Sequence, residues 1–169
     1  EEAEALRSLL PALSQSATDP DQVEWIIADA YGQEQTHAIA ESMGARVIIC
    51  GCANRAYQLN KGAKAAKGTI LYFLHADVWP PNGFDQAIRH AINEGYEAGS
   101  FRLAFDDSHW LLRLSAWFTR FAITAVRFGD QSLFVKTSTF WRNGNGGFQT
   151  RLRLMEDQEM VKTLKGLTP

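Results

Sequence analysis

The stretch "GTILYFLHADVWP", residues 68–80, constrains the fold more than any other part of the chain. It holds an apolar run of strand length that ends in His75, Ala76 and Asp77, between Gly68 on one side and a proline pair, Pro80 and Pro81, on the other. A strand that is apolar at every position is buried on both faces, and that requires helices covering both sides of a sheet. On either side lie helical patterns. "NRAYQLNKGAKAAKG" (54–68) carries Ala56, Leu59, Ala63 and Ala66 on one side, and "FDQAIRHAINEG" (84–95) follows the prolines.

Upstream the rhythm repeats. "VEWIIADA" (23–30) reads as a strand, a helix entered near Thr36 is closed by Gly44, and "RVIIC" (46–50) is the next strand. The chain opens on helical sequence with Ala5, Leu6, Leu9 and Leu10 in register, which Pro11 should kink or end. Alternation of strand and helix argues an α/β fold, a mainly parallel central sheet between helix layers, in one domain spanning 1–169. Downstream, "AGSFRLAF" (98–105) alternates like a strand, and 109–126 is an aromatic-rich helix with Arg113 and Arg120. "FGDQSLFVK" (128–136) leads into another strand, "NGNGGF" (143–148) is a turn, and 155–166 is a helix.

Open α/β sheets bind ligands beyond the carboxyl ends of their strands. Asp29 ends one strand, and His75 and Asp77 end another. Asp77 is a hard oxygen ligand for magnesium or manganese, and His75 suits manganese better. A turn-capping carboxylate is the plain alternative for Asp77. Glu156 and Asp157 open the last helix, either as acids complementing its dipole or as a general base aimed into a cleft. Asp130 and Gln131 form an ordinary turn or line a pocket, and Arg120 pairs with an acid or lies on a solvated face.

Other chemistries find no pattern. The sequence holds no GxGxxG, P-loop or GxSxG motif. A formal net charge of -2 gives no basic excess for nucleic acid. The two cysteines, Cys50 and Cys52, are too close in sequence to bridge easily, and they read as reduced thiols of a cytoplasmic chain.

Taken in order, these residues resemble the family 2 glycosyltransferases, and in particular a bacterial branch with an "FLHAD" signature. "IIADAYGQEQT" stands where the branch has "xVDGGSxDGT". "NRAYQLNKGAKAAKGTILYFLHADVWPP" stands for "GRAxQMNxGAxxAxGDxLLFLHADTxLP". "AGSFRLAF", Arg120, "FGDQSLFVK", Gly146-Gly147-Phe148 and Met155-Glu156-Asp157 follow in the branch's order. The resemblance implies a three-layer nucleotide-diphospho-sugar transferase fold and an inverting transfer from a UDP-sugar. The acceptor it leaves open is a saccharide or a lipid.

It also implies roles. Asp29, Arg55, Asn60, Gly62, Ala76 and Asp77 flank the nucleotide, and Asp77 and His75 hold a divalent metal, manganese or magnesium. Asp157 is the general base, and Asp130, Gln131, Glu156 and Arg120 lie on the acceptor or sugar side. His75 replaces the first acid of the DxD-like motif. Ala30-Tyr31-Gly32 replaces Gly-Gly-Ser, so base contacts are expected to differ there. The family opens with a strand that this chain lacks, so 1–169 is expected to be incomplete at both ends. Two rivals share the fold: a nucleotidyltransferase and a non-catalytic UDP-binding domain. The apolar helix at 109–126 reads as core, with a peripheral membrane contact or a homo-oligomer interface as alternatives.

Overall fold

The computed structural model describes residues 2–75, 78–101, 132–142, 144, 146–151 and 156–167. The first half runs α1 (Glu2–Ser16), a 3-10 turn (Pro20–Gln22), β1 (Ile26–Asp29), α2 (Glu34–Ser42), β2 (Arg46–Ile49) and α3 (Arg55–Ala65). It continues with β3 (Ile70–Phe73), α4 (Phe84–Asn93), β4 (Ala98–Ser100), β5 (Leu133–Lys136), α5 (Thr137–Arg142) and α6 (Glu156–Leu167). The expected strand at 98–105 is described only to Ser100, and the aromatic-rich helix at 109–126 lies outside the described residues.

Strands β1 and β2 pair in parallel, with Ile26 opposite Arg46 and Asp29 opposite Ile49. The other sheet has the order β3-β5-β4, with β5 antiparallel to both neighbours. Strands β3 and β4 therefore run the same way, joined by α4 as a crossover, and β5 fills the slot between them. The strand–helix rhythm gives the shared direction of β1 with β2 and of β3 with β4. The reversal at β5 is set by tertiary pairing, which periodicity does not encode.

Strand β3 is covered on both faces, as its composition requires. Leu71 and Phe73 face a core built with Ala56 and Ala63 of α3, Phe140 of α5, Phe148, and Met160, Val161 and Leu164 of α6. Ile70 and Tyr72 face Phe84 and Ile88 of α4. Val135 at the centre of β5 is fully buried. A third cluster packs Leu6, Leu9, Leu10 and Leu13 of α1 on Ile39 and Ala40 of α2, with Ile27, Val47 and Leu74 beneath. Trp25 belongs to both this cluster and the α4 cluster, which joins the two.

Helix α1 runs through Pro11 without ending there. An internal proline removes one backbone bond and costs roughly 3 kcal/mol. Burying four leucines on the face that packs against α2, each worth about 1.5–3 kcal/mol, outweighs it.

Two polar clamps fix the segments between elements. Asp85, in the first turn of α4, has an almost fully buried carboxylate. It accepts from Thr18 N (2.8 Å) and Asp19 N (3.0 Å), and Arg89 Nη2 donates to it at 2.6 Å. Burial alone would raise its pKa. The bonds from Thr18, Asp19 and Arg89 outweigh that and hold it at about 2. Across the molecule, Asn60 of α3 brackets Phe148: its Nδ2 donates to Phe148 O and its Oδ1 accepts from Phe148 N, both at 2.8 Å. Phe148 then packs edge-on against Phe73, with ring centroids 4.9 Å apart.

The lowered carboxyl pKa makes the Asp85 clamp a pH-dependent contribution. It is fully present above the ordinary value of 3.8 and is lost as pH falls toward about 2. Urea unfolding at successive pH values from 5 to 2 should show the wild type losing about 2 kcal/mol that Asp85→Asn does not lose. Parallel pH curves for the two proteins would contradict this. The Asn60 clamp leaves no room at its neighbour. Gly147 has φ +117°, and an added Cβ would lie 2.5 Å from Asn60 Oδ1. Gly147→Ala should destabilise by about 1–3 kcal/mol in the same assay. Gly144→Ala, where a Cβ meets nothing within 4 Å, should be close to neutral.

Candidate functional site

The carboxyl ends of β1 and β2 form one rim. Pairing continues past the strands, with Cys50 N donating to Asp29 O (2.8 Å) and Gly51 N to Ala30 O (2.7 Å). The Asp29 side chain, only 9% exposed, turns back into its own loop. Its Oδ1 accepts from Tyr31 N (3.3 Å), and its Oδ2 from Gly32 N (3.0 Å) and Gln33 N (3.1 Å). The carboxylate thereby ties down the loop that leads into α2, near the positive end of that helix, a favourable place for negative charge. His37, one turn into α2, puts Nε2 3.5 Å from Asp29 Oδ2. That nitrogen is buried without a hydrogen bond among the described residues. No sequence pattern singles out His37, because its tie to Asp29 depends on how α2 packs.

Cys50 is buried and Cys52 exposed, both as free thiols. Burial pushes the Cys50 thiol up, Cys52 and Asp29 add to that, and Lys61 opposes it. An activated thiolate needs the opposite shift, so the surroundings of Cys50 work against its acting as a nucleophile.

Helix α3 begins beside this rim. Asn54 caps it, its Oδ1 accepting from Tyr57 N (2.9 Å), while its Nδ2 donates to Thr150 O (3.1 Å). Gln58 Nε2 donates to Ala28 O (2.8 Å), which docks α3 on β1. A Cβ on Gly62 would sit 3.7 Å from Ala28 Cβ, so this glycine lies at the α3–β1 contact. Asn60 has both ends of its amide on Phe148.

Arg55, the first residue of α3, reaches His75 just past β3. Its Nη2 lies 3.0 Å from Nδ1 and also contacts Nε2. A guanidinium has no acceptor, so the ring can take a hydrogen bond from Arg55 only through the one nitrogen that carries a lone pair in the neutral imidazole. That lone pair is the one a metal would need, and a guanidinium beside it repels a divalent cation. Among the described residues no group of three or more His, Cys, Asp or Glu side chains converges as a metal site.

Arg55 touching His75 brings the end of β3 to the same edge as the β1–β2 rim. Of the other assigned residues, Ala76, Asp77, Arg120, Asp130 and Gln131 lie outside the described residues. Glu156 and Asp157 form the first turn of α6, and their side chains lie outside the described set. Ser132, which follows Gln131, is buried and accepts a hydrogen bond from Tyr72 Oη (2.9 Å). Burial pushes the Tyr72 phenol up to about 12, against the lowering effect of Ser132, so it remains a donor at neutral pH. No described helix is long and apolar enough to cross a membrane.

No curated protein and no solved structure matches the chain. Residues 1–148 match the family Glycosyl transferase family 2. That match takes in both strand-end loops, the whole of α3, the Arg55–His75 contact and the turn that Asn60 clamps. On that extent of agreement, the chain belongs to the family 2 glycosyltransferases.

Proposed function

We propose that the chain moves a sugar from a UDP-sugar to an acceptor hydroxyl, with inversion at the anomeric carbon. The observation that supports it most is the contact of Arg55 with His75. It joins two segments that the resemblance assigns to the nucleotide, one from α3 and one from the end of β3. The Arg55 guanidinium is a permanently charged fork suited to phosphate oxygens, and it stands at the carboxyl edge of the sheet.

In this reading Asp157 takes the proton of the acceptor hydroxyl. The freed oxygen attacks the anomeric carbon from the face opposite the diphosphate, the carbon–oxygen bond to the donor breaks, and UDP leaves with the bonding pair. A divalent ion, manganese or magnesium, is assigned to Asp77 together with the donor's own phosphate oxygens. Asp130, Gln131, Glu156 and Arg120 are assigned to the sugar and acceptor, a saccharide or a lipid. The two free thiols support a reducing, cytoplasmic setting. Residues 1–169 are read as part of one transferase domain.

Calorimetry with UDP in manganese, magnesium or EDTA, followed by a panel of UDP-sugars scored for UDP release, tests this reading. Asp157→Asn should keep UDP affinity and lower turnover by about 100-fold to 10,000-fold. Full turnover in that variant would remove Asp157 as base. Pyrophosphate release from a nucleoside triphosphate would point to nucleotidyl transfer instead. UDP binding without turnover of any UDP-sugar would point to a binding domain.

A further inference from the structure

Resting on the donor reading above, we infer that Tyr31 is the platform on which the donor's nucleobase stacks. The argument begins with what Asp29 has left to offer. Three backbone N–H groups occupy its carboxylate, and His37 stands against it. A carboxylate has about four lone-pair sites, so at most one good acceptor position remains for a base. Base recognition through Asp29 alone would therefore be thin.

The loop that Asp29 organises presents something else. Tyr31 is 70% exposed and Ile49, beside it on the rim, is 55% exposed. The backbone under the tyrosine is held at every point. Tyr31 N is bonded to Asp29, Ala30 O receives Gly51 N, and Gly32 sits at φ +77° against Ile49. A Cβ at position 32 would come within 3.1 Å of Ile49 Cδ1, so the loop lies close on β2. An aromatic side chain on a fixed backbone loses little entropy when a flat ring settles on it. It stands at the carboxyl end of a parallel strand pair, where an α/β sheet takes its ligand. Every base has a π-face, so a stacking platform holds a nucleotide strongly while discriminating weakly between bases.

The test is a titration of wild type, Tyr31→Ala, Tyr31→Leu, Tyr31→Phe and Tyr31→Trp with UDP, TDP and inorganic pyrophosphate. Tyr31→Ala and Tyr31→Leu should weaken UDP and TDP alike by about tenfold or more, and Tyr31→Phe and Tyr31→Trp should stay within about threefold of wild type. Pyrophosphate affinity should be the same in all five proteins. The leucine variant keeps apolar area without a π-face, so it separates stacking from simple burial. Unchanged UDP affinity in Tyr31→Ala would overturn the inference. So would an equal loss for pyrophosphate, which would mean that Tyr31 only shapes the loop. If the wild type binds neither UDP nor TDP, the donor reading itself fails, whatever the variants do.

Discussion

The burial of β3 and β5 on both faces is the constraint that organises the rest of the molecule. Leu71 and Phe73 need one helix layer, and Ile70 and Tyr72 need another. Val135, fully buried, faces the first layer and Phe134 beside it faces the second, so a shortened side chain at either position would lose packing to one layer. The two layers in turn decide where polar groups can go. Along the sheet faces there is no room for them, so the ionisable and amide side chains gather where strands end. Such clamps stand at both ends of the strands: Glu24 holds Arg46 and Gly68 at the starts of β2 and β3, and Asp29 holds the loop beyond β1.

At the carboxyl edge the polar side chains mostly serve backbone. Asp29 holds three N–H groups, Asn54 caps α3 while reaching Thr150, and Asn60 brackets Phe148. Each satisfies groups that a loop would otherwise leave unpaired near the core. A residue in such a position can be indispensable to a site without touching its ligand. Asn60 is the clearest case, because both ends of its amide are already engaged on one residue 88 positions away in sequence.

How far the sequence revealed this depends on the element. Strand β3 was legible because a run apolar at every position has one solution in an α/β chain. Helices α2, α3 and α4 were legible through their apolar spacing and bounding glycines. Helix α5 was missed: it is six residues long and opens Thr-Ser-Thr, a weak helix-forming run held in place by Phe140 in the core. The placement of Pro11 inside α1 and the reversal of β5 were also out of reach, since both depend on partners far away in the chain. For the site, the resemblance assigns residues by order along the chain, and of these the structure brings Arg55 and His75 together. The resemblance did not convey that Asp29 faces its own loop, or that His75 faces Arg55, because side-chain direction follows from packing.

The Arg55–His75 contact changes the electrostatics of this edge relative to the pattern the chain resembles. Where the family places an acid, a carboxylate beside the guanidinium would cancel one unit of charge. An imidazole that accepts a hydrogen bond from Arg55 carries no negative charge of its own, so relative to an acid at that position one negative charge is removed. Arg55 is exposed, so solvent and salt screen the effect of that charge. If the edge receives a diphosphate, as proposed above, one acid fewer there means less repulsion of its phosphates.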